Sequence, residues 1–417
     1  MIWILRAITI MTKLDFKKQN RLRRSLANYF GFLLGLTAVL FASNTGAEVV
    51  CAENFPAASR TIKLGMSTAL SCPVQYLGIS MSQGVQKRIA EANCDIFWRR
   101  QGIQFELIVL DDSYNPEAAA QNTRELIDEH NVIAIVGNVG TPTADKTWKI
   151  ANENQVVFYG AYTGANILRL SPPAAYVFNY RPSYDQEMEA IVTDIVKQGI
   201  SIKSIGLFLQ NDSFGNAGLA SLRKALAKQC NECQENVLQM RYERNSLKTN
   251  AALQEFINAT VKPKVVILVG GVEPTAEFIR FAQRLAPATH FYSLSFTSAT
   301  ALKEKLATDN FNLTLSQVVP NPNSDTASIY ESGSTLNEVH HEGYLETELL
   351  LSAIRNIKEN VTSETLRASL VQMERHLPGD AGDHQMMDKV WLTQLSNKEP
   401  SNNNSTLVQG DAANAKQ

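Results

Sequence analysis

The sequence predicts an α/β protein of two doubly wound parallel-sheet lobes, and three observations carry that prediction. Short apolar runs of strand type alternate with segments whose apolar residues recur at helical spacing, the order expected of a parallel sheet covered on both faces. The alternation breaks once, at YVFNYRPSYDQE, and a second series of the same kind starts beyond it. The length of 417 residues accommodates two domains of ordinary size, and 44% hydrophobic with 19% charged residues is the balance of a folded soluble chain.

The first lobe is expected over residues 61–180. TIKLGMSTAL is its first strand and YLGISMSQGVQKRIAEAN its first helix. FELIVLDD is the second strand, followed by the helix NPEAAAQNTRELIDEH with Asn115 as N-cap and Pro116 in the first turn. NVIAIVG and VVFYGAY are further strands around a helix near 144–154. YVFNYRPSYDQE then runs from a strand through a proline into the helix EMEAIVTDIVKQG. The second lobe, 181–318, continues with SIGLFLQND, a helix to about Gln229, a strand near VLQMRYE and the helix LQEFINAT. VVILVGG, the helix PTAEFIRFAQRL and the strand HFYSLSF follow. SQVVPNP reads as a crossing back, so that EGYLETELLLSAIRNIKEN and SETLRASLVQM, within about 319–376, complete the first lobe. The strand DKVWLTQL, within about 377–396, completes the second. The polar, low-complexity end, 397–417, reads as a disordered tail.

The amino end reads as an export signal over residues 1–47, with cleavage as late as 52 an option. KKQNRLRRS is a basic n-region, and YFGFLLGLTAVLFA, Tyr29 to Ala42, is shorter than the roughly 20 apolar residues of a membrane span. Thr45-Gly46-Ala47 and Val50-Cys51-Ala52 each fit a cleavage site. Glu48-Val49-Val50 is a poor lipidation signal before Cys51, so the expected mature protein is soluble and periplasmic; an uncleaved anchor is the alternative. The first 47 residues hold seven of the 39 basic residues and one of the 41 acids. The remaining body is therefore acidic, which argues against a nucleic-acid partner.

Of the five cysteines, Cys230 and Cys233 form a C-x-x-C at the end of a helix in a polar stretch. That place suits a small surface disulfide in an oxidising compartment better than a redox centre, and zinc lacks two further ligands at suitable spacing. Cys72 and Cys94 flank a helix about 24 Å long at 1.5 Å per residue, so they are not expected to pair with each other.

The stretches IKLGMSTALSCPVQYLG, LIVLDDSYNPEAAAQNTRELI, VGNVGTPT, GAYTGANILR and NYRPSYDQE resemble type I periplasmic substrate-binding proteins. LQNDSFGNAGL, LVGGVEPTAEFIR, FYSLSF, LSQVVPNP, EGYLETELLL and DHQMMDKVWLT follow in the same order, so the resemblance runs from Thr61 to Gln394. The branch is the leucine/isoleucine/valine-binding family of ABC importers. It implies two lobes joined by three hinge crossings and a small ligand, an amino acid or a related carboxylate or amide, clasped between them. It implies a membrane permease as partner, no cofactor, no metal and no catalysis.

Carried onto this sequence, the resemblance marks Tyr76, Gly140, Thr141, Ala161, Tyr162 and Thr163 in the first lobe. In the second it marks Phe214, Val272, Glu273, Ser295 and Phe296. Thr141 and Thr163 are expected to hold a ligand carboxylate with hydroxyls and backbone amides, as free N–H groups at a helix start attract an anion without a basic residue. The relatives place an acid in the loop corresponding to FYSLSF to pair with the ligand ammonium. This chain has Ser295 there and no acid from Ser293 to Ser298, so either Glu273 takes over or the ligand carries no amine.

Plainer readings stand beside these. Tyr76 and Tyr162, read as exposed-loop aromatics, could simply pack, and Thr141 could be no more than a helix cap before Pro142. Glu273 could merely complement the positive end of its helix. Asp111 and Asp112 read as caps of the following turn, and His340 and His341 as surface residues just before a helix. The rival functions are a sensory module using the same clasp, and an enzyme; dinucleotide, P-loop and G-x-S-x-G signatures are absent.

Overall fold

The computed structural model describes residues 58–230, 237–319, 337–375 and 382–395, and two separate sheets organise them. The first contains β1 (Arg60–Thr68), β2 (Ile103–Asp111), β3 (Ala134–Val136), β4 (Val157–Tyr159) and β5 (Val177–Phe178), in the order β2-β1-β3-β4-β5 and parallel throughout. Between them run helices α1 (Gln75–Cys94), α2 (Ile96–Arg100), α3 (Pro116–Asp128) and α4 (Thr141–Glu153).

The second sheet holds β6 (Ile205–Gln210), β7 (Leu238–Tyr242), β8 (Val265–Val269), β9 (His290–Ser293), β10 (Leu313–Gln317) and β11 (Trp391–Leu395). Their order is β11-β10-β9-β8-β6-β7, parallel except where β11 runs antiparallel to β10. Its helices are α5 (Tyr184–Lys197), α6 (Ser213–Ala227), α7 (Asn250–Asn258), α8 (Val272–Leu285) and α9 (Ala299–Lys305). Later in the chain, α10 (Glu338–Arg355) packs along α1, and α11 (Ser363–Glu374) packs on α10 and β4.

Burial explains the strand patterns. Every residue of β6 and of β8 is buried, because helices cover both faces of an inner parallel strand. The edge strand β2 alternates buried and exposed positions at its start. Local signals set the helix starts: Asn115 accepts from the N–H groups of Glu117 and Ala118, and Ser183 forms a capping box with Gln186. The chain leaves the first sheet through Asn179–Ser183. Asn179 donates its N–H to His384 O at 2.7 Å and accepts from Met386 N–H at 2.9 Å, so this passage runs beside the segment leading to β11.

Several expectations change. The short helices α2 and α9 are additional, α2 being started by Asp95, which accepts from Phe97 N–H. The Ser316-Gln317 beginning of the expected crossing is the end of strand β10, because LTLSQ pairs with both β9 and β11. His340 and His341 lie inside α10, with His341 buried, because this face of the helix packs on α1. Cys72 is a free thiol while Cys94 and Cys230 are each disulfide-bonded, so Cys72 and Cys94 are not paired. Cys233, the expected leader and the expected tail lie outside the described residues. Among the described residues no helix is long and apolar enough to cross a membrane.

Candidate functional site

The carboxyl ends of β3 and β4 carry two short loops, tied together by a parallel bridge between Val139 and Tyr162. Gly140 has φ 98°, and a side chain there would run into the Tyr114 ring, so only glycine allows this approach. It serves as N-cap of α4 and has no side chain to cap the first-turn N–H groups. Thr141, next in sequence, meets Thr163 hydroxyl to hydroxyl at 2.7 Å, and Thr163 donates to the Tyr184 hydroxyl at 3.3 Å. Both threonines are fully buried.

The second sheet faces these loops with rings. Asp212 caps α6 by accepting from Phe214 N–H, which places Phe214 at the helix start. The Phe214 ring lies 4.4 Å from Phe296 and 5.7 Å from Tyr184, and Phe296 lies 5.5 Å from Tyr162. Tyr162 also donates its hydroxyl to Ser295 O at 3.1 Å. A second contact between the sheets joins Gln210 Nε2 to the Tyr114 hydroxyl at 3.2 Å. Tyr76, in the first turn of α1, packs against the large core cluster that spans both sheets and against the cluster of the second sheet, and burial pushes its phenol up to about 12. Val272 is buried at the start of α8, where the neighbouring Gly271 lies close to Val74.

The expected residues therefore divide. Thr141, Tyr162, Thr163, Phe214, Ser295 and Phe296 come together where the two sheets face each other, with Gly140 behind them. Tyr162 is only 1% exposed, not an exposed-loop aromatic, because the opposite lobe covers it. Tyr76 is half-buried for the same reason. The Ala161 methyl points instead into the apolar cluster behind the first sheet, with Leu126, Val156 and Phe158. Glu273 does not join the group: its carboxylate meets Lys305 at 2.6 Å and is 38% exposed. It sits in the first turn of α8 and complements that helix start, the plainer of its two readings. Asp111 and Asp112 hold the turn after β2, accepting from the N–H groups of Ser113 and Tyr114 respectively.

Sequence reasoning missed a buried charged hub beside Ser295. Arg181, in the passage out of the first sheet, is 1% exposed; its Nε meets Glu342 at 2.9 Å and its Nη2 donates to Ser295 Oγ at 2.9 Å. The guanidinium lies 4.2 Å from the centre of the Tyr162 ring. Glu187 accepts from Ser295 N–H at 2.9 Å, Ser295 Oγ at 3.1 Å and Ser316 Oγ at 2.5 Å. Burial pushes the Glu342 carboxyl up to about 7, against the pull of Arg181. One signal was available: Glu338, Glu342 and Glu346 recur every four residues on a helix whose same face had to be covered.

No curated protein matches this chain significantly. Among solved structures it is similar to a possible leucine/isoleucine/valine-binding protein from Rhodopirellula baltica SH 1, at 33% identity and TM-score 0.74, over 82% of this chain and 98% of that one. A branched chain amino acid ABC transporter protein from Thermus thermophilus with bound valine shares the fold at 17% identity and TM-score 0.69, over 81% and 94%. A fatty acid ABC transporter substrate-binding protein from Thermomonospora curvata does so at 18% and 0.67, over 82% and 91%. The sequence profile described as periplasmic binding protein matches residues 61–400. The profile match over residues 61–400 and the 33% identical structure show that the chain belongs to the periplasmic binding protein family.

Proposed function

We propose that this protein clasps one small ligand, an amino acid or a related carboxylate or amide, between its two lobes in the periplasm and delivers it to the permease of an ABC importer. One observation carries the reading. The Thr141–Thr163 hydroxyl pair and Tyr162, at the carboxyl ends of one parallel sheet, face Phe214, Ser295 and Phe296 on the other. Ligands of open α/β sheets sit at such strand ends. The uncapped start of α4 and the two hydroxyls form a neutral cradle for a carboxylate. The four rings Tyr162, Tyr184, Phe214 and Phe296 supply an apolar wall for the rest of the ligand, with Tyr76 and Val272 at the margin of the cleft.

Isothermal calorimetry on the leaderless protein, with ligands first found by thermal shift, tests this. Thr141→Val and Thr163→Val are each expected to weaken binding by about 1.5–3 kcal/mol, the range for a hydrogen bond to a charged group. Unchanged affinity in both variants would remove the cradle from the site.

A further inference from the structure

Resting on that reading, we propose that the cleft selects a carboxylate with an apolar body and an α-oxo group or no α-substituent over the matching amino acid, and that Arg181 sets this preference. An α-ammonium buried in the cleft requires an acceptor with free capacity, since an unpaired buried cation is costly. The carboxylates around Ser295 and the cavity are engaged by the protein's own donors, while Glu346, whose oxygens have no partner, lies behind Gly137 and Gly160. Glu187 takes three hydrogen bonds from Ser295 and Ser316. Glu338 takes the Ser298 hydroxyl at 2.6 Å, the Thr300 N–H at 3.0 Å and the Thr300 hydroxyl at 2.6 Å. Glu342 is paired with Arg181, and Glu273 is turned to Lys305.

The group that does reach Ser295 is the Arg181 guanidinium, which lies over the ring of Tyr162. A narrow cavity is lined by Tyr162, Arg181, Ser295, Glu338 and Glu342, and the buried Nη1 of Arg181 has no hydrogen-bond partner. An ammonium entering there finds carboxylates already taken by Arg181, Ser298 and Thr300, whereas an oxo oxygen is offered the unpartnered Nη1 donor. A loop from Ser293 to Ser298 without an acid and the Arg181 donor thus act in the same direction.

The test measures matched pairs by calorimetry on the leaderless protein: leucine against 4-methyl-2-oxopentanoate and phenylalanine against phenylpyruvate, with hexanoate and benzoate as carboxylates lacking the α-oxygen. The oxo acids are expected to bind at least about tenfold tighter than their amino acids, given the cost of an unpaired buried ammonium. In Arg181→Met combined with Glu342→Gln, which removes the pair together, the ratio within each pair should shrink several-fold. A purely structural loss would weaken both members equally and leave the ratio unchanged, which would overturn the role of Arg181. Amino acids binding as well as the oxo acids, and weakened by Thr163→Val, would overturn the selectivity while leaving the cleft reading intact. If no compound of any series bound at millimolar concentration, the cleft reading would fall and the selectivity with it.

Discussion

Tyr162 engages the opposite lobe with both parts of its side chain, the ring against Phe296 and the hydroxyl on the carbonyl of Ser295. Tyr162→Phe keeps the ring and removes one neutral hydrogen bond, about 0.5–1.5 kcal/mol, made when the lobes meet. Separation of the lobes should become easier, so small-angle scattering of the ligand-free variant is expected to show a larger radius than wild type. An identical scattering curve would mean that this bond does not hold the lobes. The threonine pair makes a different residue-scale prediction. Each single valine variant removes the shared Thr141–Thr163 bond, about 1 kcal/mol, which the double variant loses only once; the Tyr184 hydroxyl loses its Thr163 partner whenever Thr163 is replaced. Urea unfolding should therefore give a double-variant loss smaller than the sum of the two singles. Sequence could nominate these residues because they stand in loops with recognisable neighbours, but not their mutual contact, which spans 22 positions.

At the scale of the element, α10 shows where periodicity informs and where it misleads. Its apolar spacing predicts a helix, and the helix is there, but the buried face carries Glu338, His341, Glu342 and Glu346 among its apolar residues. Glu346 is 1% exposed, and both its carboxylate oxygens lack a hydrogen-bond partner. They occupy the space that a side chain would need on Gly137 or Gly160, the glycines that follow β3 and β4 with positive φ. Burial, reinforced by Glu342, pushes the Glu346 carboxyl well above its ordinary 4.5. A folded value above the unfolded one means that the native state holds the proton, so this group's contribution to stability falls as pH rises above about 4.5 toward the folded value. Glu346→Gln does not titrate. Its stability relative to wild type should rise with pH, by about 1.4 kcal/mol per unit across that window. Urea midpoints of both proteins at pH 5 and pH 8 decide, and a difference that does not change with pH would contradict a neutral buried acid. His340 and His341 work in the opposite sense. Burial holds both down to about 4, so the stability they contribute is complete above 6.5 and is lost as pH falls through 4. Comparing the variant with wild type cancels that background.

For the whole molecule, the basic n-region and the short apolar run ahead of Glu48 make export the expected fate. Amino-terminal sequencing of the periplasmic fraction should find the chain starting near Glu48 or Glu53, and a retained leader in the membrane fraction would refute cleavage. The fold class was open to sequence reasoning because each parallel strand and covering helix writes its own period, and caps such as Asn115 and Ser183 act within a few residues of themselves. Those are local energies, and a linear reading reaches them. The environment of Ser295 was decided only by tertiary structure. Arg181 and Glu187 lie more than a hundred positions away, as does the ring of Tyr162, and their meeting depends on sheet order and on the passage between lobes. The position of Glu273 shows the same limit, since the nearness of Lys305 settles what that acid does. A charge is buried or exposed according to its partners in space, and the free energy of burying it belongs to that assembly rather than to the residue that carries it.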